Sequence, residues 1–423
     1  MSLVNIISAV GNNKGVAPLF VRDCCIEIPT KVGLTYNQNL KDSRQMANNA
    51  TRERLIDEYG TSAIWIGGPI LLNRICDWGI KKFGYNPLVN MSLFKERKDQ
   101  GIKYNIEKFR EKAPDAVKDL EKALKNRSKY TNLQAAKFFL TTAIPIALMG
   151  FVLPKLNFKL TERIKEKGVN KGVNQGVTIE AQNTPLSQKS SFKSRDEYLP
   201  SFKGIASTMA NMSNVNKMAV TDGGLTVGRV WTGRNKYEQM ELGFKNAMMM
   251  FLNFVFPIYL AKGLDKTSMK LFNINVNLDP KLMINKDFLN SIKDNSIEMP
   301  KDKEGIIDFL DKNPDSKFSK LCEEYCGVKY LKNRIRDPRV FVDKNKIESF
   351  RKEIEKFGAE ARKSNDINKY AKKALKVKSA NIAANVGISS FLLAAALPEL
   401  IFFLRKKFTG SDAEPGLLPQ KKS

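Results

Sequence analysis

Apolar residues along this chain gather into a few uncharged runs, separated by long and densely charged stretches. The cleanest run is Ser379 to Leu404, SANIAANVGISSFLLAAALPELIFFL, whose single charge is Glu399. A helix rises about 1.5 Å per residue, so roughly 20 mostly apolar residues cross a hydrocarbon core about 30 Å thick, and this run supplies them. Lys376 and Lys378 on one flank, and Arg405, Lys406 and Lys407 on the other, are placed to snorkel to headgroups. The pattern predicts a transmembrane helix over 379–405 and a polar tail over 406–423. A shorter run, FFLTTAIPIALMGFVLP at 138–154, lies between Lys137 and Lys155 and predicts a membrane helix kinked near Pro145. The third run, 246–261 between Lys245 and Lys262, is marginal as a span, and its Met248, Met249 and Met250 suit a helix contact equally well.

The remaining stretches divide the chain around these runs. Gly11, Gly15, Pro18, Pro29 and Gly33 punctuate residues 1–60, which read as a polar, loop-rich N-terminal region until a helical pattern appears near Asp42 to Tyr59. Residues 61–160 form a first helical half. It begins with TSAIWIGGPILLNRICDWGIKK, too broken by Gly67, Gly68, Pro69 and charges to span, and predicts an interfacial helix with Trp65 and Trp78 at headgroup depth. A basic helical insert follows, with Pro114 starting a helix. KGVNKGVNQGV opens a Gly/Ser/Lys-rich flexible linker over 161–204. Residues 205–264 predict glycine turns leading into the apolar helix 246–261. Residues 265–378 form a second basic helical insert, with helix starts at Asp343 and within NPDSKF.

Several matches suggest that these two halves repeat. LPKLNFKL at 153–160 resembles LPELIFFL at 397–404, and IExFR recurs at Ile106, Glu107, Phe109, Arg110 and at Ile347, Glu348, Phe350, Arg351. The two pairs keep nearly the same separation. PIxL occurs after Gly68 and after Phe256. A two-fold internal repeat predicts that both inserts face the same side, and the retention of Lys and Arg places that side in the cytoplasm.

Composition narrows the function. Lys and Arg number 71 against 44 Asp and Glu, a formal charge of +27, which points to an anionic partner. A mean hydropathy of -0.34 is too polar for a protein made only of spans. Histidine is absent, which removes Ser/His/Asp and Cys/His catalysis and every His-containing metal site. Five cysteines, two adjacent, do not form a disulfide framework, so a reducing compartment is expected for the polar parts. The first residues lack a basic n-region, and Ser2 excludes myristoylation, so internal segments are expected to direct insertion.

Candidate chemistry is sparse. GRVWTGRN, Gly228 to Asn235, has phosphate-loop spacing, with Arg234 for the lysine and Asn235 for the hydroxyl, but an amide substitutes poorly there and Val230 and Trp231 crowd the loop. The better reading is a pair of turns presenting Arg229 and Arg234 to lipid phosphates, alongside Arg405, Lys406 and Lys407. CEEYC places Cys322 and Cys326 on one helix face without the third thiolate of a cluster motif. Glu399 is the candidate intramembrane polar group, more naturally interfacial given its nearness to Arg405.

The expectation is a mostly α, membrane-associated helical protein with two to four apolar helices, basic helical inserts and a two-fold repeat. It is expected to be a non-enzymatic integral protein of a plasma or inner membrane, without cofactor or metal, acting as a scaffold. Its partners would be anionic lipid and either other proteins or copies of itself, with nucleic acid disfavoured for want of any recognition motif. The alternatives are a transporter or channel-like component built from two repeats, and a soluble helical protein binding membranes or nucleic acid peripherally.

Overall fold

A computed structural model describes residues 3–12, 15–40, 44–95, 99–153, 156, 160, 212–231 and 236–410. It is mostly helical, and among the described residues there is no strand, only an isolated bridge between Tyr330 and Arg336. The helices are α1 (Leu3–Gly11), α2 (17–40), α3 (44–82), α4 (Ile102–Phe109), α5 (Pro114–Lys125), α6 (127–152), α7 (Asn214–Trp231) and α8 (Lys236–Phe272). They continue with α9 (Lys286–Lys293), α10 (Ile306–Lys312), α11 (Lys317–Leu321), α12 (Lys344–Arg362) and α13 (Ile367–Thr409). Among the described residues, three segments are long and apolar enough to cross a membrane: Arg127–Gly150 within α6, α8 and α13.

Six helices close a ring. α2 packs on α3, α3 on α6, α6 on α7, α7 on α8, α8 on α13, and α13 back on α2. Five of them carry a π turn, at Val21–Glu27, Ala63–Gly67, Leu148–Val152, Phe251–Val255 and Leu392–Ala396. In each case a proline follows two residues later: Pro29, Pro69, Pro154, Pro257 and Pro398. Proline has no N–H and its ring crowds the carbonyl four residues back, so the preceding turn widens. At four of these turns the N–H just before the proline reaches five residues back: from Ile28 to Asp23, from Leu153 to Leu148, from Phe256 to Phe251 and from Leu397 to Leu392.

The two inserts pack on each other beside the ring. The first buries Val89, Leu93, Ile106, Phe109, Leu120 and Tyr130, and Leu331, Ile335 and Phe341 of the second close over that core. The second insert has its own larger core around Leu278, Phe318, Ile354 and Phe357. Gln100 clasps Val342 through both backbone groups, at 3.0 and 3.1 Å, and Arg339 donates to Asp119 at 2.8 Å. Asp343 caps α12, accepting from the Asn345 and Lys346 amides, and Ser316 caps α11, as the sequence predicts.

Three expectations need correction. The first 60 residues are not loop-rich; the described ones are almost wholly helical, because Pro18 and Pro29 sit in first turns or after a π turn, where the missing N–H is tolerated. The glycine-rich block before 231 does not form turns but the helix α7. There Gly224 packs closely on α6, and a Cβ would stand 2.9 Å from the terminal methyl of Ile146. Trp65 does not stand on an exposed interfacial face but is buried within the ring: its Nε1 donates to the Met218 carbonyl at 3.4 Å and its ring meets Phe254 edge-on. Trp78 is exposed, with Lys82 Nζ 3.9 Å from its ring centroid. The linker over 161–204, most of LPKLNFKL and the tail beyond Gly410 lie outside the described residues.

Candidate functional site

The ring encloses charged and polar side chains beside apolar clusters such as Leu19, Trp65, Met149 and Met218, and it exposes large apolar side chains on its outside. Phe20 on α2, Leu71 on α3, Phe139 on α6, Val227 on α7, Tyr259 on α8 and Phe391 on α13 all point outward and are exposed. Arg22, Glu27, Lys217 and Asn246 are buried instead. Exposed apolar side chains on all six helices leave the ring with an extended apolar surface.

At the centre lies a cavity of about 220 Å³ between α2, α3, α7 and α8, with Met149 of α6 closing one side. α2 contributes Asp23, Glu27 and Lys31, and α3 contributes Arg54, Asp57, Glu58 and Ser62. Each set falls at helical spacing, so each lies along one face. Asp222 comes from α7, and Lys245, Asn246 and Asn253 from α8. Lys31 joins Glu27 at 2.5 Å and lies 3.9 Å from Glu58, which Arg54 meets at 2.7 Å. The Ser62 hydroxyl donates to Asp23. Five carboxylates against three cations leave the wall acidic.

Arg22, beside the cavity, explains how an irregular helix survives there. Pro257 cannot donate to the Asn253 carbonyl, and Arg22 Nη2 donates to that oxygen at 3.1 Å while Nη1 reaches Leu252 O at 3.4 Å. The guanidinium therefore pins α2 to the π turn of α8.

Two ion pairs flank the ring near the inserts. Lys137 of α6 binds Asp77 of α3 at 2.5 Å, and Lys378 of α13 binds Asp265 of α8 at 2.5 Å. Asn381 Nδ2 also donates to Asp265, at 2.9 Å.

The residues singled out from the sequence lie elsewhere. Glu399 is on the exposed face of α13 and does not line the cavity. Arg405 grips Glu241 with two nitrogens, at 2.9 and 2.5 Å, beside an apolar groove of about 350 Å³ between the ends of α8 and α13. Lys406 and Lys407 are exposed next to it. Arg229 is on the last turn of α7, and Arg234 lies outside the described residues. Cys322 is buried in a π turn and shares a hydrogen bond with Cys326; that bond and burial push its thiol well above the usual range. No group of three or more Cys, Asp or Glu that could hold a metal occurs among the described residues.

The cavity residues had a signal in the sequence: Asp23, Glu27 and Lys31, and Arg54, Asp57 and Glu58, recur at helical spacing beside apolar positions. Such stripes also occur on solvated helices, so the pattern alone does not point inward. No protein-family model, curated protein or solved structure matches this chain.

Proposed function

We propose that this chain is an integral membrane protein that carries a small polar solute through the centre of its helical ring. The observation behind this reading is the inverted bundle, with a charged cavity inside and large apolar side chains outside. Ionisable groups are costly at membrane depth and persist where they serve a pathway. A pure scaffold has no need of them, so transport gains over the scaffold reading.

The two halves further suggest repeats. One offset carries Pro69 onto Pro257, PIxL onto PIxL and Asp77 onto Asp265, and a second carries Pro154 onto Pro398 and Met149 onto Leu393. Exchanging α2, α3 and α6 for α7, α8 and α13 maps every neighbour in the ring onto another neighbour. Many carriers place their site between two such halves, beside broken helices. Both inserts then share one side, which we assign to the cytoplasm.

The test is a single Thr61→Cys variant in which the five native cysteines are serine, expressed in membranes and washed with carbonate and high salt. We expect it to stay in the membrane and to react with a membrane-impermeant maleimide. Release by carbonate would overturn the membrane assignment. Retention without any labelling at position 61 would overturn transport and return the scaffold reading.

A further inference from the structure

We infer that the central cavity binds a small protonated amine that also carries an oxygen acceptor, such as an amino alcohol. The inference rests on the transport reading and adds the class of solute.

Two independent observations meet in this cavity. The first is charge. Glu27 and Glu58 are taken up by Lys31 and Arg54, whereas the Asp23 carboxylate accepts the neutral Ser62 hydroxyl and feels Arg22 and Lys31 through space. A carboxylate in that position favours a cation, and desolvation makes the preference strong.

The second is an unmet donor. Asn246, 7 % exposed, lines the same cavity, and its Nδ2 has no hydrogen-bond partner. A buried donor left unpaired costs about 1–3 kcal/mol, and a solute oxygen would relieve it. A bare metal ion offers no acceptor to that amide, and a neutral polyol offers no charge to Asp23. A protonated amine with a nearby hydroxyl satisfies both. Size agrees: at about 30 Å³ per water-sized group the cavity has room for roughly seven such groups. Trp65 and Met249 in the wall give the carbon skeleton an apolar surface.

The experiment is calorimetric titration of the full chain, purified in detergent, with ethanolamine, ethylene glycol and potassium chloride. Ethanolamine should bind saturably, about tenfold or more tightly than either of the others. Asp23→Asn should weaken it by about tenfold or more, and Asn246→Ala by a smaller factor, since a charged hydrogen bond outweighs a neutral one. If Asp23→Asn does not fold, Asn246→Ala decides the matter on its own. Potassium binding as tightly as ethanolamine would overturn the assignment, as would ethanolamine binding that neither substitution changes. Absence of ethanolamine binding to protein that resists carbonate extraction would refute this inference alone; release by carbonate would refute the reading beneath it.

Discussion

Asp77 and Asp265 hold the same place in the two halves of the ring: each stands eight residues after the proline of its long helix and binds a lysine from the next helix, Lys137 or Lys378. They are not equally enclosed. The Asp77 side chain is 36 % exposed and Asp265 only 15 %, and Asp265 also accepts from Asn381. Asp265→Ala should therefore destabilise the protein by about 2–3 kcal/mol and Asp77→Ala by under about 1 kcal/mol, because exposed pairs are screened and enclosed ones leave a charge stranded. Denaturation in detergent measures both. Equal losses would mean that the second half is not the better-buried one.

Arg22 should matter through Pro257. Replacing Arg22 by Met removes the donors to the Leu252 and Asn253 carbonyls and should cost about 2 kcal/mol. In a Pro257→Ala background residue 257 regains an N–H that can satisfy Asn253 along the helix, so the same Arg22→Met change should cost less. A double-mutant cycle should give a coupling of about 1 kcal/mol; additive losses would show that Arg22 does not compensate for the proline.

The three apolar runs were legible in the sequence because a stretch such as 379–404, with one charge, has few structural uses. The inserts were legible from their caps and dense charge, Asp343 being the clearest. The rest of the ring was hidden by its inversion. Asp23, Glu27 and Lys31 turn inward while Phe20 and Leu34 turn outward, so a rule that sends polar residues to water assigns α2 to a solvated surface. Glycine misled in a related way. Gly224 reads as a turn former, yet it lies within a helix where a Cβ would meet Ile146 at 2.9 Å. That close approach belongs to the fold and not to the local sequence.

Asp311 joins the inserts. It accepts from Arg336 Nε at 2.6 Å and from Lys108 Nζ at 2.8 Å, and Arg336 is almost fully buried, 5.2 Å from the Phe109 ring centroid. Asp311→Ala would leave that guanidinium buried without its counter-ion and should cost about 3–5 kcal/mol. Arg336→Met in the same background should recover part of the loss. No recovery would show that packing, and not stranded charge, sets the cost.

Acid should loosen α12 through Glu348. Its carboxyl is held down from 4.5 to about 2 by two hydrogen bonds from Arg351, assisted by Lys352. A carboxylate with a lowered value stabilises the fold above its unfolded value, and that contribution fades as pH falls from 4.5 towards about 2. Glu348→Gln should flatten this part of the stability profile. A profile identical to that of the native chain would remove Glu348 from the account.

On the transport reading, the docking of the inserts puts both on one side of the membrane without any charge count. Arg339 of the second insert binds Asp119 of the first, and Gln100 binds the backbone of Val342, so neither insert can cross a bilayer without the other. α3 and α6 leave and re-enter the ring around the first insert, as α8 and α13 do around the second. Cysteines placed singly at exposed Lys112 and Lys303, in a chain otherwise free of cysteine, should be labelled together by an impermeant maleimide in inside-out vesicles and spared together in right-side-out ones. Labelling of one position from each side would separate two surfaces that this fold holds in contact, and with them the closed ring.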